Sequence, residues 1–318
     1  MNIDSGKMQK LSTVWIGALI CCALWGSAFP CIKIGYRLFG ISAGDTASQI
    51  LFAGLRFTLA GILVLLFDGL ARRRPVLPGK GSAGPVLALA MTQTFVQYLF
   101  FYIGMAHTSG VKGSILESVN VFFSILVSGG IFHMEKLTAR KWLGCLAGFA
   151  GVVLVNMSGL DLGFSLMGDG FMVISTIAAA FSAVFMKKFS QTRNPVILSG
   201  WQFITGGAAL ALAGGLMGGH MRPAGPAGAL LLLYMAFISA AAYTIWGMLL
   251  KYNPVSRVTV FGFMNPVFGV ILSALLLGEG SQASGPVTVL SLILVCLGIY
   301  IVNRPEGVPE TGRMGGKV

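Results

Sequence analysis

Charge is what this sequence has least of. Only 10% of its 318 residues are Asp, Glu, Lys or Arg, whereas a soluble domain carries roughly 25%. A water-facing surface cannot be clothed at that density, which excludes an ordinary soluble fold. Acid is the scarcer sign: 10 Asp and Glu against 22 Lys and Arg leave a net charge of +12. In a hydrophilic chain that excess would point to nucleic acid. Here 55% of residues are hydrophobic and no hydrophilic domain accompanies the charge, so it reads as a topology signal for a lipid bilayer, with no nucleic-acid partner.

Cysteine is sparse too, and Cys21, Cys22, Cys31, Cys145 and Cys296 all fall inside apolar runs without CxxC spacing. Free Cys in such runs behaves as a small buried hydrophobe, so neither a disulfide framework nor a zinc site follows. His107, His133 and His220 are spread along the chain and read as loop residues. The sequence lacks a nucleophile elbow, a Walker loop and a pair of intramembrane aspartates, which removes the familiar enzyme classes. No cofactor or metal is implied. Without an ATP site, uphill movement of a solute would draw on an ion gradient or on exchange.

Long apolar runs are what the chain does have. Ten segments, 13–36, 47–70, 83–105, 111–131, 139–157, 168–186, 195–217, 227–250, 258–277 and 285–302, each approach the ~20 residues that cross a hydrocarbon core. They predict an all-α polytopic membrane protein with ten transmembrane helices, tails at 1–12 and 304–318, and no soluble catalytic domain. No small-x-small cleavage site precedes a polar mature domain, so the first run is expected to stay as a helix. With the amino terminus placed inside, the inner segments hold 17 of the 22 Lys and Arg, and the outer loops hold only Lys33, Arg37, Lys112 and Arg222. This asymmetry predicts cytoplasmic termini at both ends in a bacterial inner, or plasma, membrane.

A weak internal repeat runs through the same layout. Residues 107–135 can be laid over 251–279 at an offset of 144, each stretch closing on a glutamate, and Arg56, Phe57 and Gly61 fall on Gln202, Phe203 and Gly207 at an offset of 146. An odd number of helices per half, five, forces the halves (13–157 and 168–303) into opposite orientations. Inverted repeats of this kind belong to secondary transporters working by alternating access. A channel would show rings of like charge or filter carbonyls, and a sensor a soluble output domain; neither is present.

Trp25-Gly26-Ser27-Ala28-Phe29 with Lys33, Arg56-Phe57, and Asn265-Pro266 followed by Leu277-Gly278-Glu279, together with the two-fold five-helix plan, resemble the drug/metabolite transporter superfamily, EamA type. The resemblance spans about residues 13–303 and implies a ten-helix exporter of amino acids and related metabolites. Two departures stand out: Phe122 occupies the place where that family commonly has a fourth-helix proline, and Glu135 sits in Met-Glu-Lys instead of Gly-Glu.

Among candidate site residues, Arg56 stands about 14 Å below the outer surface at 1.5 Å per residue. Facing lipid there it would cost about 2.5–3.5 kcal/mol, so it is expected to face the bundle interior. Glu117 in the fourth span lies about 9 Å deep by the same count, close enough for the two to pair. Arg56 could hold a substrate carboxylate and Glu117 an ammonium group or a coupling proton; a permanent structural ion pair is the alternative. Trp25, Ser27, Gln93, Gln97, Tyr98, Asn120, Tyr243, Trp246 and Asn265 lie at similar depth and complete the candidate substrate site, with interhelical hydrogen bonding as the plainer reading of any one of them. Pro30 and Pro266 are expected to interrupt their helices as hinges. Glu135 and Glu279 are expected to cap the fifth and tenth helices, and Gly144 with Gly148 and Gly214 with Gly218 to mark close helix packing. The substrate is then a small polar metabolite, an amino acid or related zwitterion for export or exchange; a phosphorylated or nucleotide-sugar solute would call for more buried cations. Monomer and dimer both fit.

Overall fold

The computed structural model describes residues 5–42, 44–73, 76–108, 110–157, 163–277 and 286–304. Ten spanning helices fill them. They are α1 Leu11–Phe39, α2 Thr46–Arg72, α3 Ala83–Ala106, α4 Gly113–Ile131, α5 Ala139–Val155, α6 Leu166–Phe189, α7 Pro195–Leu216, α8 Gly225–Tyr252, α9 Val255–Leu272 and α10 Pro286–Asn303. All but α5, which has 17 residues, meet a length and apolarity sufficient to cross a membrane. The protein is therefore an integral membrane protein.

Helix ends follow local chemistry. The Asp45 carboxylate accepts from Ser48 N at 3.0 Å and starts α2, and Asn194 accepts from Val196 N beside Pro195 to start α7. Gly40 ends α1 at φ 67°, a left-handed conformation that glycine adopts without strain.

Helix pairing carries the inverted repeat into three dimensions. The most extensive contacts are α2 with α7 and α5 with α10, each joining equivalent helices of the two halves. Around them α1 packs on α8 and α9, and its counterpart α6 packs on α3 and α4. Both central seams are lined by glycine. At α2–α7 a Cβ on Gly54 would strike the Ala211 backbone, and one on Gly207 would lie 2.5 Å from Thr58 N. At α5–α10, Gly144 abuts Val302, and a Cβ on Gly298 would strike the backbone of Gly144 and Gly148. Close backbone approach of this kind lets dispersion hold helices together where lipid offers no hydrophobic drive. Gly214 belongs to the α2–α7 seam, but Gly218 follows the helix at φ 88° with nothing near it, so it serves the turn and not the packing.

Several helices depart from α geometry at mid-span. In α3, Ala90–Val96 is π-helical, and in α4 the helix breaks at Val119 and ends in a π stretch, Leu126–Ile131. In α9, Val260–Phe263 forms a 3-10 turn directly before Asn265-Pro266. Pro266 lacks an N–H and its ring crowds the carbonyl of Gly262, which accounts for the turn there. Pro30 does not act alike: α1 runs unbroken from Leu11 to Phe39 with Pro30 buried inside it, correcting the expected interruption. The fourth helix breaks without a proline, and Phe122 packs against Trp142, Phe149 and Phe263.

Glu135 is also placed differently from expectation. Thr138, not Glu135, caps α5 by accepting from Lys141 N. Glu135 instead crosses to the start of α9, where the Ser256 backbone N–H (3.0 Å) and hydroxyl both donate to it. Ser128 and Lys141 Nζ donate to the same carboxylate at 2.7 Å each. The carboxylate thus ties the first half to the second at the amino end of a helix, where negative charge is favoured. Glu279 lies outside the described residues.

Candidate functional site

A cavity of about 130 Å³ opens between the halves, walled by α1, α2, α3, α4, α6, α8 and α9. At ~10–15 Å³ per water-sized position it has room for roughly ten waters, the scale of a small metabolite. Arg56 and Glu117 are the two ionic side chains among its described lining residues. Trp25, Gln93, Gln97, Tyr98, Asn120, Tyr243, Trp246 and Asn265 line it as well. Ser27 does not. Its hydroxyl bonds Leu24 O at 2.7 Å and meets the Tyr234 hydroxyl at 3.2 Å, facing another side of α1.

Arg56 is 4% exposed. Its Nε donates to Met235 O at 3.2 Å and to Ser239 Oγ at 3.1 Å on α8, and its guanidinium carbon stands 5.2 Å from the Phe57 ring centroid. An aromatic face attracts a cation held over it. No ion pair joins Arg56 to Glu117; among the described residues the ion pairs are Arg72–Asp68 and Lys141–Glu135. The expected pair is therefore open, with both side chains lining one cavity. In the same lining the Tyr98 and Tyr243 hydroxyls meet at 2.6 Å.

Aromatic rings close one wall. Trp25 packs edge-on against Tyr243 and Trp246, both at 5.0 Å between centroids, and Phe57 lies 4.2 Å from Tyr98. Three lining side chains carry a buried polar atom without a hydrogen-bond partner: Trp25 Nε1, Gln93 Oε1 and Asn265 Oδ1. Buried polar groups are almost always satisfied, so a donor and two acceptors left open around one cavity mark groups available to a solute. Asn120 is less free, since its Oδ1 accepts from Ser124 at 3.1 Å.

Gln93 sits within the π-helical stretch of α3, and Asn265 follows the 3-10 turn of α9. Irregular backbone at membrane depth is tolerated where it is enclosed by protein or lines a cavity. Sequence reasoning missed Thr259, Ser182 and Met186 in the lining, and Ser239 behind Arg56. Ser239 was within reach of helical periodicity, because positions 239, 243 and 246 share a face of α8.

The fold and cavity define a membrane transporter of the inverted-repeat class. The EamA-like transporter family model matches residues 13–157 and 166–304, and the chain belongs to that family. It is 29% identical over 318 residues to a "Probable amino-acid metabolite efflux pump" of Salmonella typhimurium, covering 94% of this chain and 97% of that protein. It is 28% identical over 296 residues to an "Uncharacterized transporter" of Archaeoglobus fulgidus, covering 91% and 98%. A solved crystal structure matches with a TM-score of 0.74 at 18% identity over 91% of this chain and 96% of that one, a likeness of fold.

Proposed function

We propose that this membrane transporter moves an amino acid or related zwitterion, by export or exchange, through alternating access of its two inverted halves. The observation that carries the proposal is one buried cation and one carboxylate facing a single cavity without pairing to each other. Arg56 presents N–H donors to a carboxylate and Glu117 accepts from an ammonium group or exchanges a proton. The printed names of the Salmonella relative above and of a similar Escherichia coli protein (28% identity) support this solute class. A phosphorylated or nucleotide-sugar solute is disfavoured by the lining, which offers Arg56 as its one cation among described residues.

The halves rock about the glycine-lined seams, and the bend before Pro266 lets α9 move. The Glu135 link to Ser256 must part for that end of the cavity to open. Both termini face the cytoplasm of a bacterial inner membrane. Purified protein in proteoliposomes should show saturable counterflow of at least one member of a panel of the twenty protein amino acids. Arg56→Ala should abolish it while leaving the amount of folded protein in the membrane unchanged. Absence of saturable exchange across the panel would sink the reading, as would an Arg56→Ala protein that still transports.

A further inference from the structure

Resting on that reading, we propose that Ser239 is a positioning residue for solute recognition, fixing the guanidinium of Arg56 so that its two terminal nitrogens face the cavity. Arg56 stands on α2 in the first half and Ser239 on α8 in the second. Ser239 and Met235 are both fully buried, so the two bonds that Nε donates to them lie in a dry environment where a charge-assisted hydrogen bond is strong. Ser239 Oγ itself donates to Met235 O at 3.3 Å, which settles the hydroxyl with its lone pairs toward Nε. Phe57 bounds one face of the guanidinium. Nε is committed, one face is covered, and the Tyr102 hydroxyl of the lining also bonds the guanidinium, so the capacity that remains for a solute is on the terminal nitrogens, which carry four N–H groups in all.

The inverted repeat supplies an independent comparison. Gln202 falls on Arg56 at the offset of 146, and on α3, the counterpart of α8, Thr94 stands one residue from the position that offset gives for Ser239. These two also meet: Thr94 Oγ1 donates to Gln202 Oε1 at 2.7 Å. A hydroxyl gripping a long polar side chain across the halves is therefore built twice. In the second copy Gln202 is fully buried, absent from the cavity lining, and neutral. In the first the long side chain is an arginine that lines the cavity. The same scaffold contact has been turned toward a ligand on one side only, and Ser239 is the half of it that aims the charge.

A positioning role predicts a change in what is recognised and not merely in how much protein folds. In counterflow of the panel amino acid exchanged best by the wild type, competition by the unlabelled amino acid is compared with competition by its carboxamide. The wild type should prefer the acid. Ser239→Ala should raise KM for the acid about tenfold, the worth of one hydrogen bond to a charged group, with the maximal rate within twofold and the carboxamide little affected. Ser239→Thr, which restores the hydroxyl, should recover the preference to within about twofold. If Ser239→Ala weakens acid and carboxamide equally, or leaves the preference intact while Arg56→Ala abolishes counterflow, this inference fails and the assignment of Arg56 stands. If the Arg56→Ala protein still transports and still prefers the acid, the reading of Arg56 as the carboxylate site fails with it.

Discussion

Burial alone would push the Glu135 carboxyl up, yet bonds from Lys141, from the Ser256 and Ser128 hydroxyls and from the Ser256 backbone outweigh it and hold the group below the usual carboxylate range. A depressed folded-state value means the stabilisation is complete above the unfolded value, near 4.3, and fades as pH falls through the folded one. Glu135→Ala is expected to cost about 3 kcal/mol at neutral pH, because Lys141 is left buried without its partner. The gap between wild type and variant should hold steady from about pH 5 to 8 and shrink only in stronger acid. Thermal unfolding of the detergent-solubilised proteins across pH measures it. At this scale the sequence reading turned Arg56 and Glu117 toward the bundle interior, where both line the cavity, because a charge within an apolar run has few places to go. It failed for Ser27, which lies about 200° around the helix from Trp25 and so cannot share its face.

Among elements, the α2–α7 pair depends on backbone approach more than on side-chain fit. Gly54→Ala places a methyl group against the Ala211 backbone, which cannot retreat as a flexible side-chain tip would. Overpacking of this kind costs about 1–3 kcal/mol. Gly215→Ala in the same α7 meets nothing within 4 Å and should be neutral or slightly stabilising, since alanine is the better helix former. Comparing their unfolding midpoints with the wild type checks both. Apolar run lengths gave the helices to within a few residues, but not the π-helical stretches of α3 and α4 or the seamless passage of α1 through Pro30. Those depend on which carbonyls find partners in neighbouring helices, information that no single run contains.

For the whole molecule, the distribution of Lys and Arg predicts where the ends of the chain lie. A green fluorescent protein fused after Val318 should fluoresce in a bacterial host, and alkaline phosphatase fused at the same point should stay inactive; the opposite pair of results would reverse the topology. The sequence by itself determined the membrane class, the ten helices and their pairing into two halves, because apolar length and charge segregation are answers to the bilayer and are written locally. It also picked out most of the polar residues that surround the cavity. Only the tertiary structure decided that Arg56 and Glu117 stand apart across one space, that Ser239 holds Arg56, and that Glu135 reaches α9 instead of capping α5. Each of these is a contact between distant segments, fixed by how glycine seams bring helices together, and such contacts leave no periodic trace along the chain.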